Sequence, residues 1–320
     1  MDSVELRNRI AALRTRKRNL PGAVGVGSTL LIVALAWWGL RAWPGWGMGV
    51  LAFFTIGLMQ YRLVLAAHEA THKTLFHPVW LNESLGLVVA SLVGVSLFNY
   101  REAHLKHHKS PQSIQDDIDG YIYRPLLQAP PGWPRLWLLL TGNYRDIVTK
   151  LRRKFLGDAA LPEAPREPVP CRTGHGTLLQ QLTPLIVAQG VIWGLIAWTL
   201  TWWAYFVWWL APIFVIALQA DRARTFLEHG YNYFFPGPVQ PDLSRAPQDT
   251  IDVATNALER YLFAPFGFSR HQAHHAHLTV PFYHLRELAA LLEEHQPGYH
   301  RQVRGSYPMI LLRMLWARAA

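Results

Sequence analysis

Apolar residues dominate three long stretches of the chain, and polar residues gather between and after them. The first stretch runs from about Ala23 to Leu40 and the second from Met48 to Ala67, separated by the turn-forming Pro44, Gly45 and Gly47. Each is long enough, at about 1.5 Å per residue, to cross a hydrocarbon core of roughly 30 Å as a helix. The third, Leu182 to Ala220, is too long for one crossing and suits two, 182–202 and 203–220, with a turn near the aromatic pair Trp202–Trp203. A fourth apolar run, Leu85 to Phe98, reaches only about 21 Å as a helix and falls short of a crossing. It is expected to be re-entrant or to lie at the interface.

The pattern therefore predicts an all-α integral membrane protein. Four transmembrane helices form two hairpins, with a re-entrant or interfacial helix and a cytoplasmic helical cap. One domain is expected over 1–320, with 1–22, 68–181 and 221–320 outside the bilayer on one side. The stretch 99–180 reads as loop with some helix and a mobile part near 161–176, rich in Pro between Pro162 and Pro170. Met309 to Arg318 reads as an apolar and basic terminal helix.

Composition agrees. Of 320 residues 51% are hydrophobic and 16% charged, and 14 are Trp, too apolar a mixture for an ordinary soluble domain. The net charge of +10 comes from Lys and Arg that fall outside the apolar runs, and the two hairpin turns carry almost none. By the positive-inside rule this places the termini and the middle segment in the cytoplasm. Basic residues at Arg7, Arg9, Arg14, Arg16, Lys17 and Arg18 read as a positive flank to the first span. No basic motif with interleaved aromatics points to nucleic acid. The single Cys171 leaves no thiolate cluster or intrachain disulfide to consider.

Histidine carries the chemistry. His68 and His72, in His-Glu-Ala-Thr-His, lie four apart where the second span ends, stacked on one helical face. His104, His107 and His108 form a His-x-x-His-His cluster, and His271, His274 and His275 form a second with the same spacing. Positions i, i+3 and i+4 share a helical face, so each cluster can point its rings at one site. With 15 His in the chain, two copies of that spacing beside the paired motif are improbable as coincidence. Eight imidazoles exceed what one tetrahedral zinc uses and suffice for two metals. Ligand type alone does not name the metal. His229 is a ninth candidate, because it follows the fourth span as His72 follows the second, with a His-x-x-His-His cluster about forty residues later in both halves. Glu69, Glu228, Asp116, Asp117 and Asp119 are candidates for orienting ligand imidazoles. His77, His175, His277, His284, His295 and His300 read as surface or supporting residues, and the Trp-rich block at 193–209 as lipid-facing.

Taken together, HEATH at 68–72, HLKHH at 104–108, QDDID at 115–119, RTFLEHG at 224–230 and LERYLFAPFGFSRHQAHHAHLTVPFYHL at 258–285 resemble bacterial members of the membrane fatty acid desaturase family. The resemblance implies a non-haem di-iron centre with His68, His72, His104, His107, His108, His229, His271, His274 and His275 as ligands and no catalytic residue beyond them. It also implies O2 as co-substrate, a bacterial inner-membrane location, an acyl lipid or other long apolar substrate, and a separate ferredoxin-, rubredoxin- or cytochrome b5-like electron donor. Where family members often carry Asn-Tyr before the third cluster and Leu-Glu inside it, this chain has Ser269-Arg270 and Gln272-Ala273, and Ile118 stands where Pro is common. A hydroxylase or ketolase on the same core is the nearest alternative. An intramembrane zinc protease using His68, Glu69 and His72 is a more distant one.

Overall fold

The computed structural model describes residues 3–109, 117, 119–156, 178–236, 250–296, 299 and 303–318. Helix α1 (Ser3–Thr15) is followed by α2 (Leu20–Ala42) and α3 (Trp46–Thr71), both long and apolar enough to cross a membrane. Two more helices pass the same test, α8 (Leu178–Thr199) and the helix Phe206–Phe234. The last is π-helical over Phe206–Leu210 and Ile213–Ala217, then regular over α9 (Leu218–Phe234). The expected spans are thus present, but two of them run further. The second continues unbroken through Thr71, so His68 sits on the same helix as that span, as the uninterrupted apolar run leads one to expect, and the fourth carries on to Phe234.

Small residues let these helices approach. A side chain at Gly57 of α3 would meet Ile216 Cβ at 2.4 Å, and one at Gly22 of α2 would meet the carbonyl oxygen of Leu75, in the turn that follows α3, at 2.3 Å. Between lipid-facing helices there is no hydrophobic drive to associate, so close backbone packing of this kind does the work. Val33, Ala36, Ala52, Ile56, Ile192, Ile196 and Trp209 fill the core between the spans.

The short apolar run expected as one helix over Leu85–Phe98 is corrected by the structure. Helix α4 (Val79–Leu92) stops, and α5 (Leu97–Lys109) leaves at 99°. The turn is made at Gly94, whose φ of +74° lies in the left-handed region that favours glycine. Hydrophobic pattern located the apolar stretch but not the bend inside it.

Helices α6 (Gly120–Gln128) and α7 (Trp133–Leu156) put far more helix into the middle segment than its polarity suggests. The expected mobile stretch near 161–176, with Pro162–Pro170, lies outside the described residues. The chain then adds α10 (Ala257–Leu262), α11 (His271–Ala276), α12 (Leu285–His295) and α13 (Tyr307–Trp316). The all-α expectation needs one correction. Strands β1 (Val253–Ala254) and β2 (Val303–Arg304) pair in parallel, Val253 opposite Val303, because the backbone entering α10 satisfies its polar groups on the segment before α13.

The largest core joins the last third of α3 to α4, α6, α9, residues 251–268 and α13. Two neighbours on α3 fasten the approach to α11. The Tyr61 hydroxyl donates to the Phe263 carbonyl at 2.6 Å, and the buried Arg62 donates to Thr29 Oγ1 and the Tyr261 carbonyl while its guanidinium lies 3.6 Å over the Tyr261 ring. Helix α1 packs Ile10 and Leu13 against Leu288, Ala289 and Leu292 of α12 and Ala273 of α11.

Candidate metal centre

Helix α3 ends on His68 and His72, α5 carries His104, His107 and His108, α9 carries His229, and α11 carries His271, His274 and His275. All nine imidazoles meet. They divide into two adjacent groups. His68, His72, His104, His108 and His274 each offer one ring nitrogen, all within 4.8 Å of one another, and His107, His229 and His275 do the same. The His271 Nε2 atom joins the second group, 3.1 Å from Nε2 of both His229 and His275. The groups touch where the rings of His108 and His275 approach to 4.4 Å between centroids.

Each triplet is shared between the groups in the same way. The i and i+4 members stay together (His104 with His108, His271 with His275), and the i+3 member crosses to the other group (His107 and His274). At about 100° per residue, i and i+4 point only about 40° apart, while i+3 and i+4 diverge by about 100°. Each triplet therefore contributes to both groups. The expectation that each cluster serves a single site was too simple.

The donor set fits metal ions. Metal–imidazole bonds of about 2.1 Å place donor atoms at most about 4.2 Å apart, so a spread within 4.8 Å needs only slight inward rotation. The Nε2 atoms of His72 and His104 face each other at 3.0 Å, and those of His104 and His108 at 2.7 Å. Buried lone pairs converging like this repel unless a cation lies among them. His68 Nε2, His229 Nδ1, His271 Nδ1 and both ring nitrogens of His274 are buried with no protein partner. Burial, reinforced by neighbouring histidines and Arg224, holds His271 and His274 well below the usual imidazole range and so in the neutral, ligating form.

Carboxylates stand behind the rings. Glu69 Oε1 lies 3.2 Å from His68 Nδ1 and takes a hydrogen bond from Thr74 on its other oxygen at 2.7 Å. Asp117 Oδ1 lies 2.7 Å from His107 Nδ1 and Oδ2 accepts from the Tyr123 hydroxyl at 2.6 Å. Burial alone would raise the Asp117 carboxyl, but the His107 hydrogen bond and charge prevail and bring it down to about 2. Asp119 stands farther off, 3.9 Å from His107 Nδ1, and Asp116 and Ile118 lie outside the described residues. Glu228 is fully buried, paired to Arg224 at 2.6 Å, and 3.7 Å from His271 Nδ1.

Other supports escaped the sequence. Tyr100 stacks on His104, Tyr123 on His229 and Phe268 on His271. The Arg224 guanidinium lies 4.6 Å from the centroid of the Phe268 ring. Asp252 accepts from the Gln272 and Ala273 amides, fixing the start of the short α11. Arg270 stays at that strand, opposite Asp252 and donating to the Ser269 carbonyl. Tyr100 and Phe268 stand four and three residues before the rings they stack on, whereas no spacing rule links Tyr123 or Asp252 to the histidines.

The fatty acid desaturase family model matches residues 44–307, a span that holds every one of the nine histidines. The chain belongs to the fatty acid desaturase family. A Delta(12) fatty acid desaturase of Calendula officinalis is 23% identical over 259 residues, covering 73% of this chain and 63% of the plant protein. The omega-6 fatty acid desaturase, endoplasmic reticulum, of Brassica juncea is 25% identical over 116 residues, 30% of this chain and 29% of that protein. The matches thus cover less than two thirds of either plant protein. A zinc protease would need His68, Glu69 and His72 alone. In this desaturase-family chain Glu69 is engaged by Thr74, and seven other imidazoles share the centre.

Of the remaining histidines, His277 Nδ1 lies 3.0 Å from Arg14 and His284 Nε2 2.9 Å from the Arg16 carbonyl, both away from the centre. His175 and His300 fall outside the described residues. Trp193, Trp198, Trp202 and Trp203 are exposed as expected of lipid-facing rings, whereas Trp209 is buried among the spans.

Proposed function

We propose that the chain is an O2-dependent acyl-lipid desaturase with two irons. His68, His72, His104, His108 and His274 hold one metal and His107, His229, His271 and His275 the other. The observation that carries this reading is the convergence of nine imidazoles, seven buried and two half-buried, into two touching groups. Iron bound there supplies, with O2 and two external electrons, the oxidising power to remove two hydrogens from an unactivated acyl chain.

The protein's part is placement. Glu69 and Asp117, as acceptors, keep the proton of His68 and His107 on Nδ1 and turn the Nε2 lone pair inward. Tyr123 holds Asp117 and stacks on His229, so one side chain steadies a ligand from each of two helices. The Tyr61 and Arg62 contacts fix the segment entering α11 against the helix that bears His68. Burial excludes water, which favours the neutral form at His271 and His274 and protects a reactive site from side reactions.

In this reading 1–320 is one domain, its spans pair as two hairpins, and the centre faces the cytoplasm, where the Lys- and Arg-rich segments lie and a separate electron carrier docks. Expression in a host followed by mass spectrometry of its lipids tests the activity. New double bonds in cellular acyl chains are expected. Hydroxylated or keto products alone reject desaturation in favour of oxygen insertion on the same core.

A further inference from the structure

Helix α7 is not among the four candidate spans, yet one side of it is apolar and uncovered. Trp133, Trp137, Leu140, Tyr144 and Val148 follow at intervals of four, three, four and four, a single helical face. All five are exposed, Trp133 by 74% and Trp137 by 70%. A second helix extends this surface. Met309, Leu312 and Trp316 are exposed along α13, and the Trp316 and Trp133 rings meet at 6.1 Å. Apart from its first residue, α13 lies beyond the segment that the family model matches.

The two helices are locked into one unit. The Arg135 side chain, almost fully buried, donates to the carbonyls of Met314 at 2.6 Å, Ala317 at 2.7 Å and Ala129 at 2.8 Å. A cation on the last carbonyls of α13 satisfies groups that a helix end leaves open. The Gly132 amide adds a bond to the Leu315 carbonyl at 2.8 Å. The apolar faces of both helices are thereby held on the same side.

What covers that side is indicated by Tyr144. Its hydroxyl donates to the Phe214 carbonyl at 3.0 Å, inside the helix Phe206–Phe234. Phe214 and Val215 are themselves exposed there, so the stripe on α7 runs directly into the lipid-facing surface of a candidate span. Exposed Arg145, Arg313 and Arg318 lie on the same two helices or at their end. Tryptophan and tyrosine with flanking arginine is the composition of a helix lying in the headgroup region, and so large an apolar patch is uncommon on a surface facing water.

We propose that α7 and α13 form a platform that lies in the interfacial region of the bilayer, its apolar side among the upper acyl chains and its arginines at anionic headgroups. Through the Tyr307 hydroxyl at the start of α13, which donates to Glu228 at 3.4 Å beside His271, the platform also fixes the height of the histidine centre over the membrane.

The test uses the full-length chain with Cys171, its sole cysteine, replaced (Cys171→Ser), and one new cysteine at Trp137→Cys or Leu312→Cys. A third variant, Arg286→Cys on exposed α12, serves as the water-facing reference. Each is labelled with an environment-sensitive fluorophore in vesicles of equal parts phosphatidylcholine and phosphatidylglycerol. Labels at 137 and 312 should lose most of their emission to lipids carrying a nitroxide near the headgroup and little to aqueous iodide, with the reverse at 286. Iodide quenching at 137 and 312 without nitroxide quenching overturns the proposal. So does protection from both quenchers that rises with protein-to-lipid ratio, which would mean that a second copy covers the face. Neither readout depends on activity or metal content.

Discussion

Asp117 reaches His107 across ten residues of chain and closes to 2.7 Å between Oδ1 and Nδ1. An ionised carboxylate only accepts, so this contact dictates which ring nitrogen bears the proton and leaves Nε2 free for a metal. Asp117→Asn keeps the shape but removes that demand. We expect metal occupancy to weaken by roughly 10–100-fold, as for other outer partners of ligand histidines. Metal titration of the purified variant checks it, and unchanged affinity would show that Asp117 only fills space.

Two ions per chain follow from the division into two groups. His274→Ala and His271→Ala remove one imidazole from different groups while lying on the same turn of α11. Each should lower bound iron towards one per chain, measured by elemental analysis, with the second ion retained. Removing both ions with a chelator should lower Tm, because a ligand that binds the folded state stabilises it and nine converging nitrogens then lose their counter-charge. Equal Tm with and without metal would contradict a buried centre that depends on it.

Gly57→Ala tests the packing that brings α3 to the fourth candidate span. The new methyl would lie 2.4 Å from Ile216 Cβ on a neighbouring helix, not at the tip of a flexible chain. Forcing the helices apart should cost about 1–3 kcal/mol. Unfolding in detergent gives the stability. Since His68 and His229 ride on these two helices, metal occupancy should fall with it.

A pH effect is expected at α1. His277 is half-buried 3.0 Å from Arg14, and burial first, then the Arg14 charge, press its pKa below the ordinary imidazole value. When α1 is undocked the ring titrates near 6.5. The docked form therefore binds fewer protons, so docking is fully supported above about pH 6.5 and weakens as pH falls below it. A nitroxide at Asn8→Cys should become more mobile on acidification, and His277→Gln should abolish the change.

The apolar runs fixed the number and approximate place of the spans, since a crossing needs only local composition and length. The identity of the nine histidines was equally legible, because helical periodicity places i, i+3 and i+4 near one another whatever the rest of the chain does. His229 came from position alone, at the end of a span like its counterpart His72. Local rules did not reveal the bend at Gly94 inside an apolar stretch, nor the 24 residues of α7 inside a polar one.

Tertiary structure alone decided which of the two groups each ring joins. His107 and His274 leave their own triplets because the angular spread of a helix is settled only when helices cross. It also recruited Tyr123 and Asp252, which stand far along the chain from His229 and from the start of α11, and Asp117, ten residues from His107. Sequence spacing encodes directions within one helix. Contacts between helices are set by the packing of whole faces, and no short window of the chain contains that information.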